Sequence, residues 1–255
     1  MQGDIIEALR VGAVVALLGA SSIQDWRKRE VSDNVWLLFI LVAVLVNLLQ
    51  FDILNDNFSS VLGMWLLQAM IFAGLYWVGA FGGADAKSYL CLSLMYPTIP
   101  SFAPLLGMHE AILTVAISSF ANSALLSLIY VPLNLAHNAL TTLNGVPFSD
   151  PDDNVSTLKR LTALGLLRRL KASEFSGSSH SYQFAGHSLS EVSFKSLVSF
   201  DCDSEAPGGS DINESQRVYV QPLVPLQVFV LAGFIVTLVV GNIMLEVPLA
   251  LIRRA

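Results

Sequence analysis

The stretch VWLLFILVAVLVNLL, residues Val35–Leu49, decides the class of fold. It is nearly pure aliphatic, with Asn47 as its one strongly polar side chain. A helix crossing about 30 Å of hydrocarbon needs roughly 20 apolar residues, so this run reads as a membrane span. Five more runs of the same kind flank it. Upstream lies Ile5–Ile23, with Glu7 and Arg10 near its start. Downstream come Val61–Ala80, interrupted only by Gln68, then Ser88–Leu106, Ala111–Leu135 and Leu223–Leu245. The Ser88–Leu106 run is the weakest, because Pro97, Pro100 and Pro104 should end its helix near Tyr96.

The composition agrees. Of 255 residues, 54% are apolar and 13% charged, and the mean hydropathy is +0.61. An ordinary soluble domain carries about 25% charged residues. The net charge of −6 provides no domain-wide field for phosphates, so no nucleic acid is expected as a partner. Cys91 and Cys202 form no spaced pair, and the four histidines show no ligand spacing, so neither a metal nor another cofactor is expected. Asp4 and Glu7 stand where a signal peptide would carry basic residues, so the first run reads as a retained helix rather than one cut after Ala20-Ser21-Ser22.

The expected fold is therefore an all-α polytopic membrane protein. It has six transmembrane helices and a small α/β insertion between the fifth and the sixth. The domain boundaries are 1–137 for the first five helices, 138–220 for the insertion, and 221–255 for the last helix and tail. Within the insertion, Leu158–Leu170 is basic and amphipathic, and Ser173–Ser181 reads as a flexible Ser/Gly-rich linker. Tyr182–Phe184, Val192–Phe194 and Arg217–Gln221 alternate as short strands do, and Pro207-Gly208-Gly209 reads as a turn.

Six crossings place segments 24–34, 81–87 and 138–220 on one side, and these carry eleven of the fourteen basic residues. The positive-inside rule then puts the insertion in the cytoplasm and both termini outside. Arg253 and Arg254 are the discordant charges.

Two carboxyls stand out at that cytoplasmic boundary. Asp25 closes the first span, before Arg27, Lys28 and Arg29, and Asp85 opens the fourth in Phe81-Gly82-Gly83-Ala84-Asp85-Ala86-Lys87. Two crossings separate them, so the chain returns both to one face if the first and fourth helices are neighbours. Gly82-Gly83 permits a close backbone approach or a turn with positive φ. Two carboxyls at a partly desolvated site share one proton, so one acts as base on a water and the other as acid. The plainer reading is that each aspartate caps its helix at the interface. A reading of another class is a small transporter or channel in which Asp25 and Asp85 bind a cation or relay protons. Lys87 either tunes Asp85 or snorkels, while Glu30 and Asp33 are candidate contacts for a basic substrate segment or caps of the second helix. Asn122, Asn134 and Asn138 are placed to bond across the bundle.

At these residues the sequence resembles the GxGD aspartyl peptidases, and in particular the archaeal preflagellin/prepilin peptidases, which are type IV prepilin peptidase-like. The resemblance is carried by Gly82-Gly83-Ala84-Asp85-Ala86-Lys87, by Asp25 with its following basic run and Asp33, and by the order of the two motifs. Ala84 stands where the motif has its second glycine. The region Pro222–Gly241 is a weaker echo. The resemblance implies a membrane aspartyl endopeptidase with Asp25 and Asp85 catalytic. Its substrates would be archaellin- or pilin-like precursors carrying short basic class III leaders. Bacterial relatives that also N-methylate often carry a cysteine quartet in a cytoplasmic loop, which Cys91 and Cys202 cannot supply, so the resemblance favours a peptidase alone. Presenilin-type members have more helices, and a Pro-Ala-Leu motif where this chain has Pro248-Leu249-Ala250.

Overall fold

The computed structural model describes residues 2–50, 58–80, 82–98, 114–145, 147–149, 155–177, 182–192, 217–246 and 248. The chain divides into two compact units, the first comprising 1–78, 83–127 and 225–255, and the second 79–82 and 128–224.

The first unit is helical. Its elements are α1 (Gln2–Lys28), α2 (Asp33–Gln50), α3 (Phe58–Trp77), α4 (Gly83–Met95) and α5 (Val115–Ser127), with one further helix, Leu226–Val239, near the end of the chain. Four helical runs are long and apolar enough to cross a membrane: Ile5–Lys28, Asp33–Gln50, Phe58–Trp77 and Val115–Leu143. That makes the chain a membrane protein with several apolar helices. The outer faces of α2 and α3 bear the mark of lipid contact, with Leu37 64%, Leu41 56% and Met70 65% exposed. The expected fourth and sixth spans are shorter than the sequence suggests. α4 has 13 residues and Leu226–Val239 has 14, or about 20 Å of helix each. α4 stops before Tyr96, as its proline-rich continuation predicts; Pro100 and Pro104 lie outside the described residues.

α4 is the centre of this unit. It packs against α2, α3, α5 and Leu226–Val239, and Ala86, Ser88, Tyr89, Cys91, Leu92, Ser93 and Met95 are all buried. A helix covered on all sides has no single apolar stripe, which explains why small polar residues interrupt its hydrophobic pattern. Tyr89 stacks on Phe72 of α3 with ring centroids 5.1 Å apart, and Phe120 of α5 meets both rings edge-on. Several polar side chains inside the bundle find partners on other helices, as lipid-embedded packing favours. Asn122 donates to Thr237 Oγ1 at 3.0 Å and to the Gly241 carbonyl at 2.8 Å. Gln68 donates to the Pro97 carbonyl at 3.1 Å and accepts from Thr114 at 2.7 Å. Arg10 is only 2% exposed; it donates to Asn47 at 3.0 Å and lies over the Tyr96 ring. Glu246, which the sequence suggests at an interface, is buried at 5% exposure.

The second unit is the α/β part. It contains α6 (Tyr130–Leu143), α7 (Thr157–Leu166), β1 (Arg168–Lys171), α8 (Ala172–Gly177), β2 (Tyr182–Gly186) and β3 (Arg217–Pro222); Leu226–Val239 then becomes α9. The strands form an antiparallel sheet in the order β1-β3-β2, with Arg169 opposite Tyr219 and Phe184 opposite Val220. β2 and β3 lie where the alternating patterns put them, and β1 forms the end of the basic stretch. Four expectations need correction. Residues 173–177 are not linker but part of helix α8, because Phe175 packs with Ala172, Val218 and Val220. The helical run expected to end at Leu135 continues through α6 to Leu143 after a turn at Leu128–Ile129. Val192 is buried beside Leu189 and Tyr219 rather than lying in a strand; Ser193, Phe194 and the Pro207-Gly208-Gly209 turn lie outside the described residues. Asn134 and Asn138 bond not across the first unit but to the end of α7, accepted by the carbonyls of Gly165, Leu164 and Leu167. That satisfies carbonyls which a helix C-terminus leaves without partners.

Candidate active site

Asp25 lies in the last turn of α1. That helix runs on through Lys28, beyond the apolar stretch, until Arg29 turns it off with a left-handed φ of 59°. Such a backbone is uncommon for a residue with a Cβ and serves here as a C-terminal stop. The Arg29 N–H donates to the Asp25 carbonyl at 2.9 Å, which sets the Asp25 side chain on the final turn. Asp85 lies in the first turn of α4, two residues after Gly83 opens it. Gly83 is helical, so the positive φ envisaged for the Gly82-Gly83 step does not occur at Gly83; a φ of 75° is found at Gly79. Gly82 immediately precedes α4, and Ala84 sits within its first turn, with its carbonyl accepting from Ser88 at 3.0 Å.

The two aspartates meet at a residue that the sequence does not single out. Gln227, in the first turn of α9, donates its backbone N–H to Asp25 Oδ2 at 3.1 Å and its side-chain amide to Asp85 Oδ1 at 2.8 Å. It is 1% exposed, and its acceptor atoms are also occupied. Ser88 donates to Gln227 Oε1 at 2.7 Å and Ser21 to the same oxygen at 3.2 Å, while Ser22 donates to the Gln227 carbonyl at 2.9 Å. Ser21, Ser22 and Ser88 are buried, whereas Asp25 and Asp85 are half-buried. The result is a buried polar floor carrying two carboxyls that solvent can reach.

The spacing behind this is helical. Ser21, Ser22 and Asp25 occupy i, i+1 and i+4 on α1, and Asp85 and Ser88 occupy i and i+3 on α4, so each set shares a face. Sequence reasoning passed over all four floor residues; Ser21 and Ser22 read as an unused cleavage site. The available signal was a lone glutamine one turn into an otherwise apolar helix.

The other expected residues lie beside this pair. Lys87 points away from the floor and donates to Asp33 Oδ1 at 2.6 Å. At the head of α2, Ser32 accepts the Asn34 N–H at 3.4 Å, so the helix has a serine at its cap and Asp33 in its first turn. Glu30 is exposed in the α1–α2 connection. Ser32 N–H donates to Gln24 Oε1 at 2.9 Å, tying that connection back to α1 next to Asp25.

Chemically, two carboxyls bridged by one amide residue can hold and exchange a proton and activate a water between them. Residues 12–131 match the type IV leader peptidase family. A preflagellin peptidase of Methanococcus maripaludis is 28% identical over 93 residues, a match that covers 34% of this chain and 37% of that protein. Both aspartates fall inside the family segment, and Gln227 lies outside it.

Proposed function

We propose, from the match of residues 12–131 to the type IV leader peptidase family, that the chain is an aspartic endopeptidase that removes short basic leaders from archaellin- or pilin-like precursors. Asp25 and Asp85 are the catalytic pair. One, ionised, takes a proton from a water that attacks the scissile carbonyl; the other, protonated, supports the oxyanion and then protonates the leaving amine. The observation that carries this reading is the hold of one buried residue, Gln227, on both carboxyls. Helix caps would not need to be gathered in that way.

The proposed arrangement has six crossings with both termini outside, the 138–220 insertion in the cytoplasm, and the pair at the cytoplasmic edge. α4 and α9 supply the two short crossings. The charge balance favours this orientation, and the burial of Arg10 in the bundle removes one cation from the opposite side. A precursor with a positive leader keeps that leader in the cytoplasm, so the bond before its hydrophobic helix arrives where water is available. Glu30 and Asp33, both exposed near the pair, are the proposed contacts for basic leader residues. A transporter or channel would place its carboxyls toward the bilayer midplane, whereas Asp25 and Asp85 sit in the terminal turns of their helices.

The test is incubation of the purified protein in detergent with a class III leader-bearing precursor, followed by mass analysis of the new N-terminus. A single cut just before the hydrophobic helix is expected. No cut, or cation flux in liposomes without any cut, would overturn the reading.

A further inference from the structure

We propose that Gln227 is a positioning residue for the aspartate pair, with its main chain holding Asp25 and its side chain holding Asp85. The inference rests on the aspartyl peptidase reading and adds to it a third member, carried on α9.

The local chemistry leaves Gln227 little freedom. It stands in the first turn of α9, just after Pro225, where a backbone N–H has no partner within its own helix. Asp25 Oδ2 takes that N–H at 3.1 Å, and a carboxylate is also the group that a helix N-terminus favours. The side-chain amide could sit in either of two orientations. Asp85 Oδ1 takes its NH2 at 2.8 Å, which leaves its oxygen for the hydroxyls of Ser21 and Ser88 at 3.2 Å and 2.7 Å. An ionised carboxylate can only accept, so turning the amide over would set oxygen against oxygen. Gln227 is 1% exposed, and bonds of this kind strengthen as water is excluded.

The consequence is geometric. Asp25 and Asp85 belong to different helices, sixty positions apart, and their separation would otherwise depend only on how α1 packs on α4. Gln227 ties one oxygen of each carboxyl to a common residue, which fixes where the two carboxyls stand relative to one another. Among the described residues, the charged and titratable groups beside the pair include Arg29 from the end of α1, Tyr89 and Lys87 from α4, with Asp33 of α2 paired to Lys87, and Tyr76 from α3, whose ring lies beside Gly83. α5 and α9 carry no charged or titratable side chain over Val115–Ser127 and Leu226–Val239.

The experiment compares the full chain in detergent with Gln227→Ala, Gln227→Glu and Ser88→Ala, using a leader-bearing precursor and measuring kcat and KM across pH. Misplacing a reacting group by about 1 Å can cost on the order of 100-fold. Gln227→Ala is therefore expected to lower kcat by that order with KM nearly unchanged. Ser88→Ala frees the amide without removing it and should lower kcat by a smaller factor. Gln227→Glu keeps the shape and the oxygen that the serines bond. When protonated it donates to Asp85, and when ionised it repels Asp85, so its activity should approach the parent's at acid pH and vanish where the parent works best. A merely structural role would not move the pH profile.

Infrared titration of the protonated carboxyl band in the parent and Gln227→Ala reads the pair without turnover. With the amide donor gone, the carboxyls should ionise at higher pH. A parent that cleaves, with kcat of Gln227→Ala within about threefold and neither pH profile nor band moved, overturns the positioning role alone. A parent that does not cleave, with the band still moved, overturns the peptidase reading and leaves Gln227 as the residue that orders the pair.

Discussion

Lys87 Nζ lies 2.6 Å from Asp33 Oδ1, an ion pair that ties the first turn of α2 to α4 two residues beyond Asp85. The two side chains are 49% and 77% exposed. Exposed pairs contribute about 0–1 kcal/mol, so this one orients the site's edge more than it stabilises the fold. A basic residue of a substrate leader could replace Lys87 at Asp33 at little cost.

The first prediction follows from that exchange. Asp33→Asn should leave expression and kcat close to those of the parent and at most raise KM for a basic leader. Steady-state cleavage of one precursor, with its leader lysines intact or replaced, checks this. A large fall in kcat would move Asp33 into the reacting group.

Asp25→Asn and Asp85→Asn should each abolish cleavage while leaving membrane insertion unchanged. The substitution keeps size and hydrogen-bonding capacity but removes the exchangeable proton. If the two act as one unit, the double variant should be no worse than either single one. The idea is falsified if either single variant cuts within a few-fold of the parent.

Gly233 of α9 has no room for a side chain. A Cβ there would stand 2.6 Å from the Ser119 carbonyl oxygen and 2.7 Å from the Ser123 nitrogen on α5. These are backbone atoms, which cannot swing aside, so Gly233→Ala should force α9 off α5 at a cost of about 1–3 kcal/mol. Thermal unfolding in detergent should show a lower Tm. Cleavage should also weaken, because α9 carries Gln227. An unchanged Tm would mean that the two helices separate without penalty.

Phe175 anchors α8 against the sheet through Val218 and Val220 and is 9% exposed. Phe175→Ala should cost about 3 kcal/mol and raise protease sensitivity within 155–222 in limited proteolysis. Resistance equal to the parent's would return this segment to the status of a linker.

Reporter fusions test the orientation. Fusion at Ser178 should give a cytoplasmic signal and fusion at Asn55 an external one, from the eleven-to-three split of basic residues. Reversed signals would put both aspartates outside and end the leader-cleavage proposal.

Much of this molecule was legible in the chain itself. Apolar runs of bilayer length mark helices whatever they pack against, because lipid requires every backbone group to bond within its own segment. Alternation at Tyr182–Phe184 and Arg217–Gln221 marked two strands, since a half-buried strand must present successive side chains to opposite faces. Asp25 and Asp85 could be singled out because two crossings return them to one face, with Asp85 just behind a Gly-Gly step. Tertiary structure decided the rest. Residues 173–177 looked like a linker until Phe175 found Val218 and Val220, a contact across more than forty positions that no local propensity encodes. Ser21 and Ser22 read as an unused cleavage site, and nothing in the chain singled out Gln227 or Ser88. Their meaning is relational, since a buried hydrogen-bonding group is stable only with its partner. For Gln227 the partners lie on two other helices, 202 positions away at Asp25 and 142 at Asp85. Only the packing of α9 against α1 and α4 brings them together.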